Sequence, residues 1–395
     1  MRKENRRRHA SKQHQDSLPV KQRLFVLCSE YPDPEGSVSG GFVHTRCLQY
    51  QRRGIEVKVF VYHGTPRDYC FQGVSVSVRP MTHIFEIIDS EKPDACAVHF
   101  PVRQFCESFE KHQPSMPFGL WFHGVETLSW RRRLFDLNYG AGFFHYILGN
   151  QRQLHALRRF LGIFQRDQRI RLVYVSEWMH RIAQRDLHLR IPDFSIIPNP
   201  IDVEFFSYSP KRVEDRFEVL LLRSFGSRKY ANDVAFDGIL KFAARRPDLF
   251  GRCNFRIFGK GRYYKPLVRK LGSFPNIVCA ERFFEPRLLP EVHRTAGIFL
   301  CPTRQDAQGV SMCEAMASGL VPIASRNTAI PEFVIHNESG LLTSNSDEIA
   351  GALETLTANP VVFARLSQGA AGHIRSLCAA QSVTSRELQV LGLGT

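Results

Sequence analysis

The chain has 395 residues, 43% of them hydrophobic, and carries 53 Lys+Arg against 38 Asp+Glu, a formal net charge of +15. That length exceeds one compact core and fits two domains of ordinary size, with the composition of a globular protein rather than a disordered or fibrous one. No apolar run reaches the ~20 residues of a membrane span and the start lacks an apolar signal core, while ten scattered cysteines without a C-x-x-C pair give neither a disulfide framework nor a zinc knuckle. The expected location is the cytosol, with reduced and mostly buried thiols. The positive charge calls for an anionic partner. Nucleic acid is the weakest candidate and no such partner is expected, since no zinc-finger spacing, aromatic RNA-binding motif or basic zipper is visible; a nucleoside diphosphate and an anionic membrane surface explain the excess better.

Residues 1–22 are polar and basic and cannot bury enough surface to fold, so a disordered arm is expected. It reads either as a solvated tail or as a contact to anionic lipid, where each Lys or Arg is worth about 1 kcal/mol. Residues 23–28 (RLFVLC) form the first strand. A loop ending in Gly40-Gly41 leads into a helix over 42–53, and a second strand covers 55–62. A glycine pair before a helix is by itself more often turn chemistry than phosphate binding. Further strands are expected at 74–78, 95–100 and 118–122, separated by helical stretches such as 102–111, which gives an alternating α/β domain with a mainly parallel sheet. His123-Gly124-Val125-Glu126 follows the last of these, and His123 reads locally as a strand-end residue.

Residues 129–166 interleave arginines with Trp130, Phe135, Tyr139, Phe143 and Phe144. This stretch forms either a surface for lipid headgroups and an amphiphilic acceptor or a helical region whose rings face the core while the arginines are solvated. A strand at 172–175, a helix from Ser176 and a strand at 194–198 complete the domain. Asn199-Pro200-Ile201-Asp202 then reads as a linker, with the boundary at Asp202.

The second domain opens with a strand at 217–222 whose end carries Arg223 and, six residues on, Lys229. Cations at a strand's carboxyl end beside a glycine suit a diphosphate, because Arg grips two oxygens and Lys supplies a point charge. Arg228 competes with Lys229 for that place. A strand at 254–258 runs into Gly259-Lys260-Gly261, which lacks Walker spacing. Residues 277–280 give a strand and 287–295 a helix. The span 297–325, GIFLCPTRQDAQGVSMCEAMASGLVPIAS, packs strand, loop, helix and strand into one βαβ unit. Ser311 is expected to cap the helix and Gly319 to end it, while Gly309 leaves the backbone open to a ligand and the N–H groups from Val310 to Met312 favour a phosphate. Asp306 and Glu314 punctuate the unit. Alone, Ser311-x-x-Glu314 is a capping box and Asp306 a loop aspartate.

Taken together, the acid at 306, seven intervening residues, Glu314 and Ala315-Met316-Ala317-Ser318-Gly319 resemble the signature of the retaining family-4 glycosyltransferases of GT-B architecture. The resemblance covers roughly residues 23–365. It implies two Rossmann-like α/β domains with mainly parallel sheets facing across a cleft: an acceptor domain over 23–202, a nucleotide-sugar domain over 203–365, and C-terminal helices over 366–395 returning toward the first. It also implies roles for single residues. Glu314 binds the donor's ribose and Asp306 the transferred sugar, Gly40 and Gly41 face the donor phosphates, and His123 lies close to the sugar. Arg223 and Lys229 hold the diphosphate, Gly259 and Gly261 pass beneath the base, and Gly309, Val310 and Ser311 complete the nucleotide site. In this chain Asp306 stands where Glu is usual, Ala307-Gln308 replaces Gly-Phe, and Pro200 replaces Gly in the linker.

The implied activity is metal-independent, retaining transfer of a hexosyl group from a nucleoside diphosphate sugar, with UDP expected, to a glycan or lipid-linked acceptor. No cofactor is expected. No Asp-x-Asp occurs, and peripheral contact with the inner face of an anionic membrane goes with the basic composition. The rival expectations are a catalytically weak subunit that binds nucleotide sugar or glycan, and a basic membrane-associated scaffold without a nucleotide site.

Overall fold

The computed structural model describes residues 21–35, 40–272 and 274–394, with the side chains at 137–139 and 141 left aside. The expected lipid contact of the basic arm falls outside the described residues. Two sheets organise the chain. The first has eight strands: β1 (Arg23–Cys28), β2 (Glu56–Val61), β3 (Arg67–Phe71), β4 (Val74–Val78), β5 (Ala95–His99), β6 (Phe118–Phe122), β7 (Ile170–Tyr174) and β8 (Ser195–Ile196). They lie in the order β3-β4-β2-β1-β5-β6-β7-β8, parallel except for β3. The second has β9 (Glu218–Leu222), β10 (Asn254–Phe258), β11 (Ile277–Ala280), β12 (Ile298–Cys301), β13 (Val321–Ser325) and β14 (Leu341–Thr343). Their order is β11-β10-β9-β12-β13-β14, parallel throughout. Two mainly parallel sheets in one chain are the architecture that the alternating pattern predicts.

The short apolar runs become central strands because helices cover both faces, as the fully buried β5, β6, β12 and β13 show. β3 is an addition to the expected set. It folds back on β4 through Gln72 and Gly73, both at positive φ (47 and 82), which is the two-residue turn that matches strand twist. Its exposed, polar alternation hides it from a search for buried runs.

Each sheet has apolar clusters on its two faces. The chain leaves the first sheet after β8 and crosses at 199–202. The return was expected from 366 onward, but the helix Pro360–Cys378 stays on the second domain, where Phe363, Leu366, Ala370 and Ile374 are buried. The break comes at Ala379, whose extended ψ of 129 ends the helix. The helix Ala380–Leu391 then packs Val383, Leu388 and Leu391 in one cluster with Trp121 of β6. The outgoing and returning segments pair there, with the Ile201 N–H donating to the Cys378 carbonyl at 2.7 Å and the Ala380 N–H to the Ile201 carbonyl at 2.9 Å. Among the described residues no helix is long and apolar enough to cross a membrane.

Strand order fixes where a ligand can bind. In an open parallel sheet the crevice lies beyond the carboxyl ends of the strands where the winding reverses. In the first sheet that point is between β1 and β5, and in the second between β9 and β12.

Candidate active site

At the second switch point, β9 leads into Arg223 and β12 into the Asp306 loop. Gly309 at φ 80 turns this loop into the helix Val310–Ala317. The Asp306 carboxylate caps the turn, its Oδ1 accepting the N–H groups of Gln308 (3.3 Å) and Gly309 (2.8 Å). Two expectations are corrected here. Ser311 lies inside the first turn rather than capping it, and its Oγ accepts from Arg223 Nη1 at 3.3 Å. Glu314 closes no capping box, because the helix starts before Ser311 can serve as its cap. Among the described residues nothing hydrogen-bonds the Glu314 carboxyl, and burial pushes its pKa up to about 8. Among the described residues the N–H groups of Val310, Ser311 and Met312 also lack an acceptor, the ordinary state of a helix start and one that suits an anion.

Arg223 is only 5% exposed, yet among the described residues its Nε and Nη2 have no hydrogen-bond partner, and Asp306 Oδ2 stands 3.7 Å from Nη2. A buried guanidinium with unused donors is costly unless an anion completes it. Its charge lies 4.9 Å from the Tyr230 ring, and Lys229 Nζ lies 4.7 Å from the same ring, so the two expected cations are brought together. Arg228 is exposed, with its guanidinium over Tyr263 at 5.5 Å, and does not join them.

The Gly259-Lys260-Gly261 turn braces this corner. A Cβ on Gly259 would lie 1.8 Å from the Arg223 carbonyl oxygen, and one on Gly261 would lie 2.3 Å from the Gly226 nitrogen. The two loops cross backbone to backbone, with Arg223 N–H on the Phe258 carbonyl (3.1 Å) and Phe225 N–H on that of Lys260 (2.9 Å).

The first switch point repeats the backbone device with different side chains. Gly40 at φ 77 opens the helix Gly41–Arg52, and a Cβ there would meet the Glu30 carbonyl oxygen at 2.4 Å, whereas Gly41 faces open space. His123 lies across from it, with its ring 4.9 Å from Phe42 and 4.5 Å from Phe100. Its Nε2 is hydrogen-bonded to Nδ1 of the fully buried His99 at 3.0 Å. Burial, and then the field of Arg46, holds both rings well below the usual histidine range, so both are neutral at pH 7.

Sequence reasoning missed the groups that hold His123 in place. Phe100 sits at φ 61, strained for a bulky residue, and the Tyr62 hydroxyl donates to its carbonyl at 2.7 Å. Glu126 lies buried below, accepting the N–H groups of His123 and Gly124. Burial raises its carboxyl to about 7 against the lowering effect of those bonds. Its place in the His-Gly-Val-Glu run was the available signal.

Acidic side chains span the cleft. Asp136, on the 3-10 segment Trp130–Tyr139, accepts Ser227 Oγ (2.9 Å) and the Arg228 N–H (3.3 Å) of the second domain. In the other direction Glu332 accepts the N–H groups of Glu177 (2.8 Å) and Trp178 (2.7 Å), which start a helix of the first domain. The aromatic stretch divides between its two readings. Phe143 is buried and Trp130 and Phe135 are half-buried, while Phe144 and Leu148 are 71% and 54% exposed on the helix Ala141–Phe164. The Tyr139 side chain lies outside the described residues.

Residues 225–359 match the family described as Glycosyl transferases group 1. A D-inositol 3-phosphate glycosyltransferase of Corynebacterium efficiens is 32% identical over 126 residues, 31% of this chain and 29% of that protein. The match thus spans less than a third of that curated relative. Among solved structures, sucrose-phosphate synthase from Thermosynechococcus elongatus superposes with a TM-score of 0.69 at 14% identity, covering 93% of this chain and 98% of that one. Anabaena HepE in complex with UDP gives 0.68 at 14% identity, covering 94% and 99%. Part of the second domain thus resembles the glycosyl transferases group 1, and the chain as a whole has the GT-B fold of these solved structures.

Proposed function

We propose that the protein is a retaining glycosyltransferase that moves a hexosyl group from a UDP-sugar to a glycan or lipid-linked acceptor without a metal ion. The observation that carries this reading is the buried Arg223, with two unused donors beside the open N–H groups that start the helix Val310–Ala317. A diphosphate at that corner meets Arg223, Lys229 and the helix N–H groups. These neutralise the charge that grows on the phosphate oxygen as the sugar–oxygen bond breaks. The acceptor hydroxyl forms the new bond to the sugar carbon on the same face, and its proton goes to the departing phosphate. Glu314 meets the ribose, Asp306 and His123 meet the transferred sugar, and the 259–261 turn lies beneath the base. The likeness of the fold to HepE, which was solved in complex with UDP, supports the choice of nucleotide.

The test is thermal stability against a panel of nucleotide sugars, followed by turnover of whichever one stabilises. Stabilisation by none of them overturns the reading. For the acceptor, a helix with Phe144 and Leu148 exposed and no acidic residue in its 24 positions favours an amphiphilic molecule presented at an anionic bilayer. Phe144→Glu should lower binding to vesicles containing phosphatidylglycerol several-fold while leaving UDP affinity unchanged; equal vesicle binding refutes the membrane part alone. A subunit that binds without turnover is the second reading. It is favoured by the use of Asp306 as a cap for Gly309 rather than as a free carboxylate. Tight UDP-sugar binding with no transfer to any acceptor would select it.

A further inference from the structure

Gln308 is 1% exposed, and its amide is engaged with both backbone polar groups of one residue of the other domain. The Asn199 N–H donates to its Oε1 at 2.6 Å, and its Nε2 donates to the Asn199 carbonyl at 3.0 Å. The same Nε2 is 3.8 Å from Cys378 Sγ. Asn199 and Cys378 belong to the outgoing and the returning crossing, so a single side chain of the Asp306 loop touches both connections between the domains. Next to it, Ala307 packs against the core of the first domain.

From the other side the crossing is gripped by the first domain. The Asn199 Oδ1 accepts Arg46 Nη2 at 3.1 Å. Arg46 and Glu387 form a fully buried ion pair at 2.7 Å, and the Tyr50 hydroxyl donates to the second Glu387 oxygen at 2.6 Å. Within the loop, Asp306 takes the Gln308 and Gly309 N–H groups and stands 3.7 Å from Arg223. An unbroken series of short contacts therefore runs from Arg223 through Asp306, Gln308 and Asn199 to Arg46 and Glu387. Buried polar groups with complete partners hold one geometry, since losing any partner strands the others.

We infer that Gln308 is a positioning residue that couples occupancy of the Arg223 corner to the conformation of the two interdomain crossings. An anion completing Arg223 draws on the Asp306 loop. The loop cannot shift without carrying the Asn199 backbone, because Gln308 holds both that residue's donor and its acceptor. Flanking Pro198 and Pro200 fix φ on either side of Asn199, so the displacement passes into the crossing instead of dissipating in it. The UDP arm of the test rests on the donor reading given above; the ligand-free arm does not.

The experiment is amide hydrogen exchange on the full chain, wild type against Gln308→Leu and Gln308→Glu, with and without UDP. Without ligand, Gln308→Leu should speed exchange on the order of tenfold at Asn199 and also at Ile201 and Ala380, whose N–H groups Gln308 does not touch. Faster exchange at Asn199 alone would mean a local contact and would overturn the coupling. Gln308→Glu, which keeps the acceptor for the Asn199 N–H but opposes its carbonyl, should fall between. With UDP, the wild type should gain protection at Asn199, Ile201 and 378–380, and Gln308→Leu should bind UDP within about threefold of wild type while losing that gain. An equal UDP-induced gain in both proteins overturns the inference. Failure of UDP to bind the wild type overturns the donor reading instead, and the ligand-free arm still decides the coupling.

Discussion

Gly40 at φ 77 before the helix Gly41–Arg52 and Gly309 at φ 80 before the helix Val310–Ala317 are the same backbone device used twice, each beyond a strand at a switch point of its sheet. The side chains around the two starts differ. The second has a buried guanidinium with free donors, a lysine and an enclosed carboxyl. The first has Phe42, Phe100 and two histidines kept neutral by burial. A helix start attracts anions weakly on its own, through partial charges that fade within a turn. What separates the two halves of the cleft is the cation placed beside one of them; under the proposed function, that cation is what would sort a nucleoside diphosphate to the second domain and an uncharged sugar to the rings of the first.

The strongest way to break this comparison is to remove the cation. Arg223→Met should weaken UDP binding by about 3 kcal/mol, on the order of 100-fold, since two charge-assisted hydrogen bonds are lost. The ligand-free protein should become more stable by about 1 kcal/mol, because an uncompensated buried charge has gone. Calorimetry and denaturant titration read the two effects, and a variant that binds UDP like wild type would erase the contrast between the domains.

Glu314→Gln should weaken UDP and UDP-sugar together by about 1.5–3 kcal/mol, if the carboxylate is what meets the ribose. Its titration supplies a sharper signature. The carboxyl titrates near 4.5 unfolded and about 8 folded, so between those values the folded state holds the extra proton and stability falls as pH rises. Glu314→Gln should flatten that fall and raise Tm at the alkaline end. Wild-type UDP affinity should tighten as pH rises through about 8, and the variant should lose that slope. A slope that survives the substitution assigns it to another group.

Asp306→Asn should leave UDP affinity within about twofold and lower kcat/KM for the sugar donor about tenfold, because the hydroxyls it reads travel with the sugar. Equal losses for UDP and UDP-sugar would show that its cap on Gly309, rather than a sugar contact, was the part disturbed. The smallest expected effect is that of EDTA. Turnover should persist, with Arg223 and Lys229 supplying the charge, and complete loss rescued by manganese or magnesium would place a metal in the comparison.

What the sequence revealed follows the physics of each signal. Central strands were legible because burial on both faces writes continuous apolar runs, as in Phe118–Phe122 and Ile298–Cys301. The exposed edge strand β3 wrote none. Arg223 could be placed from its strand end, but its burial with free donors could not, since that depends on Tyr230, Ser311 and Asp306 converging from three segments. The misplaced cap shows a local rule giving way. Ser311-x-x-Glu314 satisfies the capping pattern, yet Gly309 can take a left-handed φ that starts the helix earlier and frees Glu314. Gln308 was visible only as a departure from the family pattern. Its partner, Asn199, lies 109 residues away, and no local spacing links them.

The pairing of Ile201 with Cys378 and Ala380 also decides what counts as a unit of this chain. Counted by covalent order, the first domain is discontinuous: its last helix, Ala380–Leu391, arrives only after the whole second domain has been threaded through. In those terms the second domain is an insert whose two ends stand one hydrogen bond apart. A fragment cut after the first linker would take Val383, Leu388 and Leu391 out of the cluster that holds Val26, Trp121 and Val173, whereas a chain joined directly across that bond would keep the first domain's core whole.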